Sequence, residues 1–108
     1  MLIVLLAGAA IAQNSAPTGD ADKGKKLYTS YGCYECHGRE AHGGSAGARL
    51  APRPIPLSVL MMYVRHPAGQ MPPYTSKVVS DAEVTDIYAF LKSIKQQQPA
   101  KSIPLLNQ

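Results

Sequence analysis

The segment Cys33-Tyr34-Glu35-Cys36-His37 contains the only two cysteines of the chain. The cysteines stand at i and i+3 and the histidine at i+4, so on one helical turn all three project to roughly the same side. A thioredoxin-like redox pair expects Cys-x-x-Cys beside a β-α-β pattern, and no strand pattern precedes Cys33. A structural zinc centre needs four ligands. No second cysteine pair exists, and His42 and His66 lack the mutual spacing that would complete a Cys2His2 set. A plain structural disulfide stays open, but it leaves His37 without a task.

Covalent attachment of haem accounts for all three residues. Two thiols one turn apart can add across the two vinyl groups of the macrocycle, and an imidazole next to them can reach the iron from the same face. Cys-x-x-Cys-His is the signature of c-type haem attachment. The rest of the composition suits this reading. The chain has 108 residues, room for one domain, with no Trp and a single Phe, Phe90. Its side chains alone make a thin core, and a small domain gains from a cofactor that adds buried apolar surface. The formal net charge is +4, and no Lys/Arg block with interleaved aromatics suggests nucleic acid.

Leu2 to Ala12 is an unbroken apolar run of 11 residues, shorter than the ~20 a membrane-spanning helix needs. It ends in Ala10-Ile11-Ala12, a small-x-small cleavage pattern, and so reads as a secretory signal peptide over 1–12 without the usual opening positive charge. The alternative is an N-terminal apolar strand. Export predicts a periplasmic or otherwise extracytoplasmic location. Residues 13–19 read as a flexible leader, 20–98 as the domain, and 99–108 as a tail without a usable pattern.

Within the domain the spacing predicts three main helices. Asp20 caps the first, from about Ala21 to Tyr31, where Gly24, Leu27, Tyr28 and Tyr31 share one face. A glycine inside that face costs about 1 kcal/mol against alanine and predicts close approach of another backbone. Residues 38–56 are broken by Gly38, Gly43, Gly44, Gly47, Pro52, Pro54 and Pro56, and read as loop. The second helix runs from Pro56 to about Arg65, with Leu57, Leu60, Met61 and Val64 inward. The third is signposted by the capping box Ser80-Asp81-Ala82-Glu83 and by Val79 and Val84 as a hydrophobic staple. It is expected to fade in Gln96-Gln97-Gln98 and end by Pro99. The fold class is all-α, with long loops around one covalently bound haem.

Met61, Met62, Met71, His42 and His66 are the candidates for the other side of the iron. Met71 stands apart because it lies in Gly69-Gln70-Met71-Pro72-Pro73-Tyr74, where two prolines fix φ and restrict the unliganded loop. With these residues in view, the chain resembles a class I c-type cytochrome of the small bacterial monohaem type, from about Asp20 to Ile94. The resemblance implies Cys33 and Cys36 as thioether cysteines, His37 as proximal ligand and Met71 as distal ligand of a Met-Pro-x-aromatic pattern. It also implies that Gly24 and Tyr28 cross Ile87 and Phe90. One stretch departs: the family often carries Gly-Pro-x-Leu where this chain has Gly47-Ala48-Arg49-Leu50. A backbone carbonyl is still available there to the proximal histidine.

His/Met ligation leaves no open position, so the expected function is single-electron transfer between redox protein partners, not catalysis. Possible partners are a periplasmic dehydrogenase and a terminal oxidase; a haem subunit of such a complex and a catalytic or sensory haem are the alternatives. Arg49 and Arg53 are candidates to pair with the haem propionates, or else are solvated loop charges. Lys23, Lys25 and Lys26 are either a docking patch or the wet face of the first helix.

Overall fold

The computed structural model describes residues 18–106, so the signal peptide read over 1–12 and all but the end of the leader read over 13–19 lie outside the described residues. The described residues form four α-helices: α1 (Ala21–Ser30), α2 (Cys33–His37), α3 (Leu57–Arg65) and α4 (Asp81–Ser93). Two short 3-10 turns, Ala100–Ser102 and Pro104–Leu106, follow in the tail. Among the described residues there is no strand, and no helix is long and apolar enough to cross a membrane. The fold is all-α, consistent with a small cytochrome c fold.

α1 begins where Asp20 accepts a hydrogen bond from the Lys23 N–H at 3.0 Å. Its dominant partner is α4. Gly24 lies at their crossing, and a Cβ there would sit 1.9 Å from the Asp86 carbonyl oxygen and 2.9 Å from the Ile87 nitrogen. Only a residue without a side chain lets the two backbones come this close. Beside it Tyr28, 1% exposed, stacks at a tilt on Phe90 with ring centroids 5.3 Å apart. Leu60, Val79, Val84 and Leu91 complete the larger part of the buried apolar set. That core is thin, as the aromatic-poor composition requires.

One element of the crossing was not legible in the pattern. Asp86 is buried and accepts from the Asp20 N–H at 2.8 Å, while its other oxygen pairs with Lys23 Nζ at 3.2 Å. Lys23 is therefore engaged within the fold. The Asp20 N–H, then Lys23, holds the Asp86 carboxyl below its ordinary range against the opposing effect of burial. The Ser80 N–H, then the Tyr31 hydroxyl, does the same for Glu83. A lowered folded-state pKa contributes stability above the unfolded value of about 4, and that stability is lost as pH falls through the folded value. Acid titration of the unfolding free energy should show this loss. Asp86→Asn should lower stability at neutral pH by about 1 kcal/mol and flatten the acid limb.

α4 carries its capping box as expected: Ser80 Oγ accepts from the Glu83 N–H at 3.2 Å and Glu83 Oε2 accepts from the Ser80 N–H at 2.8 Å. Val79 and Val84, 3% and 2% exposed, are both in the core, in staple positions. The helix ends at Ser93 and does not run into the glutamines. Ser93 Oγ donates to the Phe90 carbonyl at 2.6 Å, and residues 95–98 are exposed, so no tertiary contact sustains another turn. α3 buries Leu60, half-buries Leu57, Met61 and Val64, and leaves Val59, Met62 and Tyr63 exposed, which matches the spacing. Pro56 is its N-cap, so the helix begins one position later than expected.

Candidate haem-attachment site

CYECH is itself a helix. Gly32, with φ of 76°, turns the chain out of α1 in the left-handed region that favours glycine, and α2 starts at once. Cys33 is half-buried and packs against the core, whereas Cys36 is exposed. The two are not bonded to each other. Burial pushes the Cys33 thiol up to about 11. A redox-active Cys-x-x-Cys needs the reverse, a thiolate stabilised near neutral pH. Among the described residues no group of three or more His, Cys, Asp or Glu is arranged to hold a metal ion.

His37 closes α2, and the loop after it folds back onto its ring. The Leu50 and Ala51 N–H groups both donate to the Ala41 carbonyl, at 2.8 and 3.0 Å. This closure brings residues 47 and 48 against the helix. His37 Nδ1 lies 2.7 Å from the Ala48 carbonyl oxygen. A carbonyl can only accept, so Nδ1 carries the proton in this contact and Nε2 is left as the lone-pair nitrogen, the state a metal requires. Gly47 makes the approach possible: a Cβ there would lie 2.7 Å from the Cys36 carbonyl oxygen and 3.1 Å from His37 Nδ1. Ala48 thus supplies the carbonyl expected from Gly47-Ala48-Arg49-Leu50. On the α1 side, the Tyr28 hydroxyl donates to the Gly38 carbonyl at 2.7 Å, which fixes the exit from the motif.

Met71 is half-buried in the extended segment between α3 and α4, just after the turn at Gly69-Gln70. The residue that ties this segment down is Tyr74. Its N–H donates to the Val64 carbonyl at 2.8 Å, and its hydroxyl donates to the Tyr31 carbonyl at 2.9 Å. Its ring meets that of Tyr31 edge-on, with centroids 6.5 Å apart. Tyr31 is two residues before Cys33, so the Met71 segment is moored beside the start of α2. The Tyr74 phenol is raised by burial first and then by the nearness of Cys33, Cys36 and Glu35. Only the aromatic residue after Met-Pro-Pro hinted at this mooring; its partners are 9, 10 and 43 residues away in sequence.

Met62 is 63% exposed and His66 is exposed, while Met61 packs against the core. His42 Nε2 is 3.5 Å from Glu40 Oε2, within ion-pair range though without a hydrogen bond. Arg49 and Arg53 are both exposed on the loop that covers His37. A groove of about 690 Å3 along Leu57, Met61, Ala82 and Thr85 contains none of Cys33, Cys36, His37 and Met71.

The donor set fits haem c. Two thiols and an imidazole leave one helical turn together, the imidazole is oriented with Nε2 available, and a glycine clears the space behind it. Comparison with known proteins agrees. The family model described as cytochrome C oxidase, cbb3-type, subunit III matches residues 19–91, more than half of the chain. No curated protein and no solved structure matches.

Proposed function

Because the chain belongs to that family and is a class I c-type cytochrome with covalent haem c, we propose that it passes single electrons between protein partners through a His37/Met71-ligated iron. Haem-based electron transfer is what the family membership gives; the ligand pair, the partners and the compartment are our reading. The observation that carries the reading is the 2.7 Å contact between His37 Nδ1 and the Ala48 carbonyl, which fixes the tautomer a proximal ligand needs.

When bound, haem supplies a one-electron Fe(III)/Fe(II) couple, and thioether ligation raises its potential. The chain does the rest. Cys33 and Cys36 would hold the macrocycle by thioether bonds, and the Ala48 carbonyl steadies His37. The Met71 segment, restrained by Pro72, Pro73 and Tyr74, would hold the sulfur as the second protein ligand and so leave no position for small molecules. Arg49 and Arg53, exposed on the covering loop, are proposed to pair with the propionates. With both propionates ionised the net charge falls from +4 to about +2. The apolar run Leu2–Ala12 supports export, where redox proteins such as a dehydrogenase and a terminal oxidase are the natural donor and acceptor.

A second reading, a haem subunit held within a larger respiratory complex, is favoured by the description of the matched family. Gel filtration of native extract separates the two: a free carrier elutes near its monomer size.

The reading is tested on the holo protein. The ferric form should show the far-red sulfur-to-iron charge-transfer band, and the ferrous form should leave carbon monoxide unbound. A five-coordinate spectrum with rapid carbon monoxide binding would overturn it.

A further inference from the structure

A thioether is a weak, neutral donor, so its hold on a metal depends on how firmly the protein keeps its segment closed. Residues 71–75 belong to no helix. Three residues after Met71, Tyr74 is held by its N–H and its hydroxyl, as above. Its carbonyl has a third partner: Arg65 Nη1 donates to it at 2.9 Å. The other arm of the same guanidinium, Nη2, donates to Asp81 Oδ1 at 2.6 Å and lies 3.8 Å from Met61 Sδ.

Arg65 is the last residue of α3, where a cation suits the negative end of the helix. Its side chain is only 15% exposed. It joins the end of α3, the segment after Met71 and the first turn of α4. A planar fork with donors on two arms can do this; a lysine ammonium cannot serve both acceptors with the same geometry. The Asp81 carboxylate is 75% exposed, so the ion pair to it is solvent-screened and contributes little by itself. The weight falls on the bond to the Tyr74 carbonyl.

We propose that Arg65 is a positioning residue that keeps Met71 on the iron by clamping the ligand segment at Tyr74. This rests on the reading of Met71 as distal ligand. Arg65 is not among the residues that would ligate the iron; it acts through Tyr74, by limiting how often the segment opens. Loss of one charge-assisted hydrogen bond raises the open population about tenfold.

The experiment is imidazole binding to the ferric holo protein, followed by disappearance of the far-red band. At a fixed imidazole concentration Arg65→Gln should displace Met71 about tenfold faster than the unsubstituted protein. Arg65→Lys should lie between the two, and Asp81→Asn should change the rate by less than about threefold. Asp86→Asn, which weakens the α1–α4 crossing and has no bond to Arg65 or Tyr74, should leave the rate unchanged. The proposal is overturned if Arg65→Gln retains the band and the original rate, or if Asp86→Asn accelerates displacement as much. If Arg65→Gln fails to hold haem, Arg65→Lys decides by the same measure. Absence of the band in the unsubstituted protein overturns the ligand reading itself, a result distinct from either of these.

Discussion

Met71→Ala should convert a protein that excludes carbon monoxide into one that binds it stoichiometrically, with loss of the far-red band and a lowered midpoint potential. The size of the effect follows from what is removed. An alanine methyl has no donor atom. Met62 and His66 are exposed at the end of α3, and Met61 packs against the core beside Arg65. The segment itself should survive the substitution, because its mooring is at Tyr74 and in Pro72-Pro73, not at Met71. The variant should therefore keep its covalent haem and its helix content while changing coordination. Stopped-flow mixing of the ferrous variant with carbon monoxide measures this directly. Unchanged spectra in the variant would assign the distal position to another residue.

Gly24→Ala is the second large effect, and here two contributions oppose each other. In an isolated helix alanine is better than glycine by about 1 kcal/mol. In this fold the added Cβ would lie 1.9 Å from the Asp86 carbonyl oxygen, which is backbone of the partner helix and cannot swing aside. α1 and α4 must move apart, loosening the Tyr28–Phe90 stack and the Asp86 contacts to Asp20 and Lys23. Overpacking of this kind costs about 3 kcal/mol, so the crossing outweighs the propensity. The net loss of about 2 kcal/mol lowers the melting temperature of a domain of this size by roughly 8–16 °C. Thermal unfolding of holo Gly24→Ala, followed by circular dichroism, checks it. A variant as stable as the unsubstituted protein would mean that the helices do not cross at this residue.

Much of the architecture is legible because its signals are local. The Asp20 cap, the capping box of α4 and the inward stripe of α3 each lie within one or two helical turns. Gly24 marks its own crossing because a glycine in the middle of an apolar face needs a reason. The end of α4 is misjudged because Lys95 to Gln98 are acceptable helix formers, and what they lack is a surface to pack on, which sequence spacing does not reveal. The site divides the same way. Cys33, Cys36 and His37 are read from five consecutive residues, and the carbonyl for His37 from a four-residue match that survives without its proline. Arg65 and Asp86 are not legible. Each looks like an ordinary charge on a helix, and each acquires its role from acceptors or donors 9 to 66 positions away.

All of this depends on haem being covalently bound at CYECH. The most direct test is the intact mass of the protein isolated from a host with c-type haem maturation, followed by proteolysis to the peptide spanning Cys33 to His37. The account predicts a chain heavier by one haem, with the entire increment on that peptide and no free thiol on either cysteine. An unmodified mass, or a peptide with Cys33 and Cys36 joined as a disulfide, would contradict it.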